Sequence, residues 1–449
     1  MNKKNEVVKA TIRPIHYLGS KLRMLEAIKS AIDDVDPSSG DIVDLFSGSG
    51  TVTEYMSQFR NVAAVDIQHY SSILCDATTN SLDSPLNIED IINTLKKSRL
   101  KEKLLSVFAP LLEYEKNGME ALENNNIETV YEIIEKGSLY IFMHEPFDSI
   151  STGLHTALAE TVRLLEINRL DQSYDTMISR YYGGLYFSYE QALNLDIIAH
   201  YIFEQSGLIK TKMLAALLST TSEIVNTVGK QFAQPLKIRD SNGQYKISLK
   251  PKIEQDRCIN VIDSFREWLL YYSQIESTGH TVKSLCMDYV EALDLLDPQT
   301  TKVIYADPPY TRYHYSRYYH VLETICLRDN PAITTTFPNG QGGISRAIYR
   351  AGRHQSPFCI KSQAENAFRI LFEKASYKSI PLILSYSPFD ASKAVTPRLR
   401  TIDQLLSMAR EYYGQVKVVS PGAFTHSKLN SAEKNHEANH EAELLIVCQ

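Results

Sequence analysis

A strand, a glycine-containing loop, a helix and a second strand follow one another early in the chain, and this succession constrains the fold most. Residues 41–46 (Asp-Ile-Val-Asp-Leu-Phe) predict a short strand, and residues 47–50 (Ser-Gly-Ser-Gly) predict a tight loop. Residues 51–59 then predict a helix, and residues 61–67 predict a second strand that ends near Asp66. This layout is typical of a parallel α/β sheet with a nucleotide-type ligand at the carboxyl edge of its strands.

The glycine loop alone leaves the nature of that ligand open. Gly48 and Gly50 would let the backbone approach a ligand closely. A dinucleotide fingerprint would place a third glycine near position 53, where this chain has Thr53. Asp44, before the loop, can face an ammonium group, and Asp66 can accept hydrogen bonds from ribose hydroxyls. On this segment alone, an NAD dehydrogenase and an ordinary strand-to-helix turn remain alternatives.

A second informative motif is Asp-Pro-Pro-Tyr at residues 307–310, directly after the apolar strand 303–306. Prolines fix φ and remove two backbone donors, which leaves carbonyl oxygens available as acceptors. A carboxylate, a carbonyl and an aromatic face together can bind a planar group that carries an NH2, such as an adenine extruded from a duplex. The alternative is a plain turn, because Pro-Pro commonly ends a strand.

A third motif, Tyr17-Leu18-Gly19-Ser20-Lys21, precedes an amphipathic helix. The apolar side chains of that helix share one face at helical spacing, namely Leu22, Leu25, Ile28, Ala31 and Ile32. On its own the motif predicts only a helix start, with Lys21 as a solvated charge.

The three motifs, in this order and at this spacing, resemble those of the Dam-type (class α, D12) DNA N6-adenine methyltransferases, which use S-adenosylmethionine (SAM). The resemblance covers about residues 12–82 and 281–449. It implies an α/β fold with a Rossmann-like SAM-dependent methyltransferase sheet. It also implies methyl transfer to N6 of a flipped adenine in double-stranded DNA, with SAM as the methyl donor and no metal.

The resemblance assigns roles to individual residues. The expected catalytic residues are Asp307, Pro308, Pro309 and Tyr310. The expected SAM-binding residues are Tyr17, Gly19, Lys21, Asp44, Phe46, Gly48, Gly50, Asp66 and Asp288. Asp288 belongs to an acid-plus-aromatic pair, Asp288-Tyr289, that is expected at the adenine of the cofactor; without the family context, an exposed acid at a strand end is an equal alternative.

A long segment separates the two parts that resemble the family. Residues 86–136, 153–170 and 189–230 predict helices, and the alternating residues 236–250 with Asn-Gly predict a β-hairpin. We therefore predict a catalytic domain formed by residues 12–82 and 281–449, and a mainly helical inserted target-recognition domain at residues 83–280.

Five arginines are candidates for DNA contacts: Arg312, Arg317, Arg346, Arg350 and Arg353. The first two alternate with aromatic residues within residues 311–320, a pattern that suits phosphate contact combined with base stacking. The other three lie in the basic, glycine-rich segment 338–361. The alternatives are a helix whose tyrosines pack on the sheet and an ordinary solvated surface.

Composition narrows the class of protein further. The 449 residues are 43% hydrophobic and 22% charged, with a formal net charge of −6, so a DNA enzyme of this kind needs a local basic face. The six cysteines form no Cys-x-x-Cys pair, and the beginning of the sequence has no signal-peptide pattern. No apolar run is long enough to span a bilayer. These features predict a cytoplasmic protein without a membrane partner.

Two rival classes stay open. One is a SAM-dependent enzyme that acts on RNA or on a protein amide, although amide-directed relatives usually carry Asn at the position of Asp307. The other is a catalytically silent DNA-binding subunit of a modification complex, against which the intact motifs argue. The resemblance also leaves open a restriction endonuclease or another defence-system protein as a partner.

Overall fold

The computed structural model describes residues 13–145, 149–311, 314–336, 342–387, 399–420 and 443–449. The chain divides into two compact units. The first contains the described residues of Met1–Leu82, Ile275–Ser316 and His354–Gln449, and the second contains those of Asp83–Gln274 and Arg317–Arg353. The assignment of one unit to catalysis and the other to target recognition stays a prediction.

The first unit is built around a seven-stranded sheet in the order β3-β2-β1-β4-β7-β9-β8. Its strands are β1 (Asp41–Asp44), β2 (Val62–Asp66), β3 (Val282–Cys286), β4 (Thr301–Ala306), β7 (Leu382–Tyr386), β8 (Val416–Val419) and β9 (Leu444–Cys448). Strands β3, β2, β1, β4 and β7 run parallel, and β9 is antiparallel to both β7 and β8. The predicted α/β class is confirmed.

Several helices belong to the same unit as this sheet. They are α1 (Leu25–Val35), α2 (Thr51–Met56), α3 (His69–Thr79), α15 (Tyr289–Leu295), α18 (Ala364–Tyr377) and α19 (Ile402–Ala409), and the short α16 (Tyr315–Tyr318) contains the position where the second unit resumes. The face of α1 predicted to be apolar is buried at Leu25, Ile28, Ala31 and Ile32. The helix predicted at 51–59 ends earlier, at Met56.

A buried arginine holds the end of α1 against the segment that follows α2. Arg60 is 1% exposed, and its guanidinium contacts Asp36 at 2.7 Å and Asp33 at 2.6 Å. It also donates to the backbone carbonyl of Asp36 at 2.7 Å. A buried charge needs such partners, so loss of either partner would be strongly destabilising.

The second unit is mainly helical. Its helices are α4 (Ile88–Lys96), α5 (Arg99–Val107), α6 (Ala109–Glu123), α7 (Glu128–Lys136), α8 (Leu139–His144), α9 (Thr152–Ile167), α10 (Met177–Tyr182), α11 (Tyr189–Phe203), α12 (Gly207–Ile224), α13 (Lys250–Arg257), α14 (Val261–Ser273) and α17 (His320–Leu327). Two short strands pair antiparallel, β5 (Thr335–Thr336) and β6 (Gly343–Ile344). Inside this unit Arg257 and Glu115 form a buried ion pair at 2.6 Å.

The hairpin predicted at residues 236–250 is present but short. Gly243 has φ of +79°, as the Asn-Gly signal requires, and Arg239 and Tyr245 make an isolated antiparallel bridge. The Asp240 amide donates to the Gln244 carbonyl at 2.9 Å, and the Lys246 amide donates to the Ile238 carbonyl at 2.8 Å. The chain then enters a 3₁₀ helix at Ile247, followed directly by α13, so the pairing extends no further.

Candidate active site

The sheet order brings two of the sequence motifs to the same place. From β1 the chain order proceeds to β2 and β3 on one side and to β4 and β7 on the other, so the topology switches between β1 and β4. These strands pair in parallel, with Asp44 opposite Tyr305. The glycine loop and the Asp-Pro-Pro-Tyr motif therefore leave the sheet side by side, at the point where open α/β sheets bind ligands.

A cavity of about 1090 Å³, counting the space open to solvent at its mouth, lies at this switch point within the first unit. Its wall includes the expected residues Tyr17, Gly19, Lys21, Asp44, Phe46, Asp66, Asp288, Asp307, Pro308, Pro309 and Tyr310. The structure thus brings the expected catalytic residues and all expected SAM-binding residues except Gly48 and Gly50 to the wall of one cavity; the loop that contains these two glycines lines it through Ser47 and Ser49. Their roles stay predictions.

The glycine loop is held in a conformation that requires its two glycines. Gly48 has φ of +54° and Gly50 has φ of +77°. A Cβ on Gly48 would lie 2.6 Å from the hydroxyl oxygen of Tyr17, which no real contact tolerates. The Gly48 amide donates to Asp66 at 3.0 Å, so the loop is tied to the acid that ends β2.

Asp44 is buried at the base of the cavity. Its carboxylate accepts a 2.6 Å hydrogen bond from Thr53, the residue that replaces the third fingerprint glycine. Burial raises the pKa of Asp44 to about 7, and the nearby charge of Asp66 adds to the effect, whereas the Thr53 bond opposes it. In the ligand-free protein this carboxyl therefore changes charge near neutral pH.

If this cavity is the SAM site that the resemblance implies, the charge of Asp44 sets the pH dependence of SAM binding. The raised pKa means that the neutral form persists up to about pH 7, so a cationic ligand must displace a proton below that pH. We expect SAM affinity to weaken as pH falls below neutral, by up to about tenfold per pH unit. Calorimetric titration across this range should show the effect, and Asp44→Asn should both weaken binding and flatten the pH dependence. A slope that survives in Asp44→Asn would assign it to another group.

Lys21 is buried, and not the solvated charge that its motif alone would predict. It is 5% exposed, and its ammonium lies 2.7 Å from Asp307 and 2.6 Å from Glu443. Burial alone would lower its pKa, but the two carboxylates outweigh burial and hold the pKa well above its usual value. Lys21 is therefore a cation fixed beside the Asp-Pro-Pro-Tyr motif.

Asp307 faces the cavity, with its side chain 21% exposed. Partial burial and the negative charge of Glu443 raise the pKa of Asp307 to about 7, although Lys21 opposes the shift. The ring of Tyr310 packs against that of Tyr386 at 4.9 Å between centroids, and its hydroxyl donates to Glu443 at 3.2 Å. The carboxylate and the aromatic ring of the motif are thus both held by neighbouring side chains.

Several residues of the site were missed by sequence reasoning. Glu443 is an acid directly before an all-apolar strand, which is the one signal that could have drawn attention to it. Tyr315 and His354 also line the cavity, and Tyr315 packs against Tyr17 at 5.9 Å between ring centroids. Asp288 lines the cavity as expected, but it also caps α15 by accepting from the Val290 amide at 2.8 Å.

The five candidate DNA-binding arginines differ in their surroundings. Arg312 lies outside the described residues. Arg346 donates to the Ile134 carbonyl at 2.8 Å, and Arg350 forms a two-pronged pair with Asp329, so both guanidinium groups have partners within the second unit. These two arginines therefore stabilise the second unit, and their contact with DNA stays a prediction.

Arg317 and Arg353 have a different setting from the other arginines. Their guanidinium carbons lie 5.6 Å and 4.6 Å from the ring centroid of Tyr349. All three belong to the second unit. Cations grouped with an aromatic ring form a surface that can contact phosphates and stack with a base.

The described part of the chain contains neither a membrane-spanning helix nor a cluster of metal-ligating side chains. No helix in these ranges is both long and apolar enough to cross a membrane. Nor do these residues contain a group of three or more His, Cys, Asp or Glu side chains placed to hold a metal ion.

The sheet order, the glycine loop and the cavity define an α/β protein with an acid-lined cavity at the switch point of its sheet. Residues 17–148 match the family model of the D12 class N6 adenine-specific DNA methyltransferases. The resemblance predicted from the three motifs is thereby confirmed.

Three curated relatives are similar to most of the chain. Modification methylase LlaI of Lactococcus lactis subsp. lactis is 23% identical over 94% of this chain and 53% of its own length. Type II methyltransferase M.FokI of Planomicrobium okeanokoites is 26% identical over 83% of this chain and 44% of its own length. Type II methyltransferase M.NlaIII of Neisseria lactamica is 21% identical over 97% of this chain and 99% of its own length. The chain therefore spans about half the length of the first two and nearly all of the third.

Proposed function

We propose that this protein is a site-specific DNA methyltransferase that transfers a methyl group from SAM to N6 of an adenine flipped out of double-stranded DNA. The observation that carries the proposal is the shared cavity, in which Asp307 faces the same space as the glycine loop. In this reading the first unit is the Rossmann-like SAM-dependent catalytic domain, and the second is the inserted target-recognition domain. The resemblance to the D12 class and to modification methylases supports it.

The residues of the cavity fit SAM. Four carboxyl groups line it, those of Asp44, Asp66, Asp288 and Asp307, whereas Lys21 is engaged by carboxylates. An acidic cavity favours a ligand that carries both an ammonium and a sulfonium charge. When bound, SAM supplies a methyl group that its sulfonium charge already activates, so the proposal requires no metal.

The chain would act on the adenine by position and electrostatics. Asp307 and the carbonyl of Pro308 would accept hydrogen bonds from the N6 amino group and so localise its lone pair. Tyr310 would stack on the base. Flipping the base costs a few kcal/mol of unstacking, on the order of what one stacking contact and these hydrogen bonds can offset.

The cluster of Arg317, Arg353 and Tyr349 predicts where the protein contacts DNA phosphates. Arg317→Ala combined with Arg353→Ala should weaken DNA binding and reduce the slope of log affinity against log salt by about 2, because each phosphate contact contributes about 0.9. SAM affinity should not change. Fluorescence anisotropy over a salt series measures the slope.

A matched control removes two other arginines of the second unit. Arg163 and Arg266 are both more than half exposed and pair with Glu160 and Glu89. The double variant Arg163→Ala/Arg266→Ala should leave the salt slope at its wild-type value. Equal slopes in all three proteins would place the DNA interface elsewhere in the chain.

Methyl incorporation tests the proposed function directly. The purified protein is incubated with tritiated SAM and duplex DNA, single-stranded DNA or RNA, and long-read sequencing of DNA from expressing cells identifies the modified base. We expect N6-methyladenine at one recurrent sequence. Modification of RNA alone would favour the first rival class, and SAM-independent DNA binding without transfer would favour a silent subunit.

A restriction endonuclease as partner and a cytoplasmic location stay predictions.

A further inference from the structure

Glu443 is a buried acid with three polar side-chain partners in the first unit. It stands directly before β9 and is 2% exposed. Its Oε1 atom lies 2.6 Å from the ammonium of Lys21, and it accepts hydrogen bonds from Ser385 at 2.9 Å and from the Tyr310 hydroxyl at 3.2 Å. Two of these partners, Lys21 and Tyr310, belong to the sequence motifs by which the chain resembles the D12 class, so Glu443 links those motifs.

The ammonium of Lys21 is shared between two carboxylates at nearly equal distances, 2.7 Å for Asp307 and 2.6 Å for Glu443. One positive charge cannot neutralise both. A lysine that paired with Asp307 alone would bind the carboxylate more tightly and would compete more strongly with any hydrogen-bond donor of a substrate. Because Glu443 also pairs with Lys21, the interaction between Lys21 and Asp307 is weaker than it would be in an isolated pair.

We propose that Glu443 is a positioning residue for the methyl-acceptor end of the cavity, where it orients Tyr310 and shares the charge of Lys21 so that Asp307 stays available to an amino group. The proposal rests on the proposed function. Glu443 acts through Lys21 and Tyr310, and the reacting atoms need not touch it.

The electrostatics of the site agree with this role. Among the described residues, the charged groups that act on Asp307 include Lys21, Glu443 and Asp44, and the tyrosines around the same cluster include Tyr305, Tyr310 and Tyr315. Burial is the largest cause of the raised pKa of Asp307, Lys21 opposes it, and the negative charge of Glu443 adds to it. Removal of the Glu443 charge should therefore lower the pKa of Asp307, because Lys21 would then act on it without competition.

Glu443→Gln tests this in the ligand-free protein. The glutamine keeps the shape and an acceptor oxygen but removes the charge. NMR of protein labelled with carbon-13 at the aspartate carboxyls follows the Asp307 titration, which Asp307→Asn assigns. We expect a midpoint near neutral in the wild type and a midpoint lower by about one pH unit in Glu443→Gln. Glu443→Asp, which restores the charge, should return the midpoint toward the wild-type value.

Activity provides the second readout. The acid limb of the kcat profile should move to lower pH with the NMR midpoint in Glu443→Gln, and kcat at neutral pH should fall more than KM for SAM changes. Ser385→Ala removes a hydrogen bond to Glu443 without removing charge, and Asp294→Asn removes an exposed carboxylate that contacts Lys374 elsewhere in the first unit. Neither should move the acid limb.

The outcomes separate the two proposals. A wild-type protein that transfers no methyl group would contradict the proposed function, whatever the titration shows. Transfer by the wild type, with coincident Asp307 midpoints in wild type and Glu443→Gln, would overturn the role of Glu443 alone. If Glu443→Gln does not fold, Tyr310→Phe decides, because it keeps the ring and every charge but removes the hydroxyl that Glu443 holds. A kcat equal to wild type in Tyr310→Phe would overturn the positioning role.

Discussion

Asp307→Ala should reduce methyl transfer at least tenfold while SAM affinity stays within about threefold of wild type, because loss of one key electrostatic contact usually has at least that effect on the chemical step. The variant removes the carboxylate that faces the cavity and leaves the ammonium of Lys21 to Glu443. The amino group of a bound adenine would then lose an acceptor and meet a cation. Tritiated-methyl incorporation measures the loss, and calorimetric SAM titration shows whether the site is intact.

Asp307→Asn gives a sharper version of the same test. The amide has one acceptor oxygen, and Lys21 is a donor at 2.7 Å from this position, so the oxygen should turn toward Lys21. The NH2 of the asparagine would then face the NH2 of the adenine, donor against donor. Asparagine has nearly the same shape as aspartate. We nevertheless expect methyl transfer by Asp307→Asn to be as impaired as methyl transfer by Asp307→Ala.

A control removes a carboxylate from another lysine pair of the first unit. Asp294 is 59% exposed and contacts Lys374 at the surface. Asp294→Ala should retain wild-type transfer, since exposed pairs contribute about 1 kcal/mol or less to stability. Activity above a tenth of wild type in Asp307→Ala would remove Asp307 from its proposed role.

The parts of the fold that the sequence predicts well are those with a local cause. The strand, glycine loop and strand at residues 41–67 form because apolar runs and glycines specify them locally, and β1 and β2 lie there. The apolar face of α1 follows from its spacing in the same way. The motifs that mark the cavity wall could be found for the same reason.

The pairing of Lys21 with Asp307 and Glu443 could not be predicted in this way. Lys21 is 286 positions from Asp307 and 422 from Glu443 in the sequence, and only the order of the sheet, in which β9 lies beside β7, brings them together. A lysine in a helix-start motif is normally solvated, so its burial depends on partners that the local sequence does not contain. The internal partners of Arg346 and Arg350 are hidden for the same reason, since charge patterns do not reveal which arginines fold inward.

Gly48→Ala should abolish measurable SAM binding or weaken it at least tenfold. The residue has φ of +54°, where a Cβ is strained, and that Cβ would lie 2.6 Å from the Tyr17 hydroxyl oxygen and 2.7 Å from its ring. Either Tyr17 or the loop must move, and both line or border the cavity. Movement of the loop would also break the 3.0 Å bond from the Gly48 amide to Asp66, so two expected contacts of the cofactor are displaced together.

Gly279→Ala is the matched control for this variant. Gly279 belongs to the same unit and has φ of +83°, but a Cβ there would meet nothing within 4 Å. Both variants carry the backbone strain of a non-glycine residue at positive φ, which costs about 1 kcal/mol, whereas only Gly48→Ala carries the clash with Tyr17. In a thermal-shift titration SAM should stabilise the wild type and Gly279→Ala, but not Gly48→Ala, and NAD should stabilise none of them. Stabilisation of Gly48→Ala by SAM to the wild-type extent would show that the cofactor does not depend on this loop.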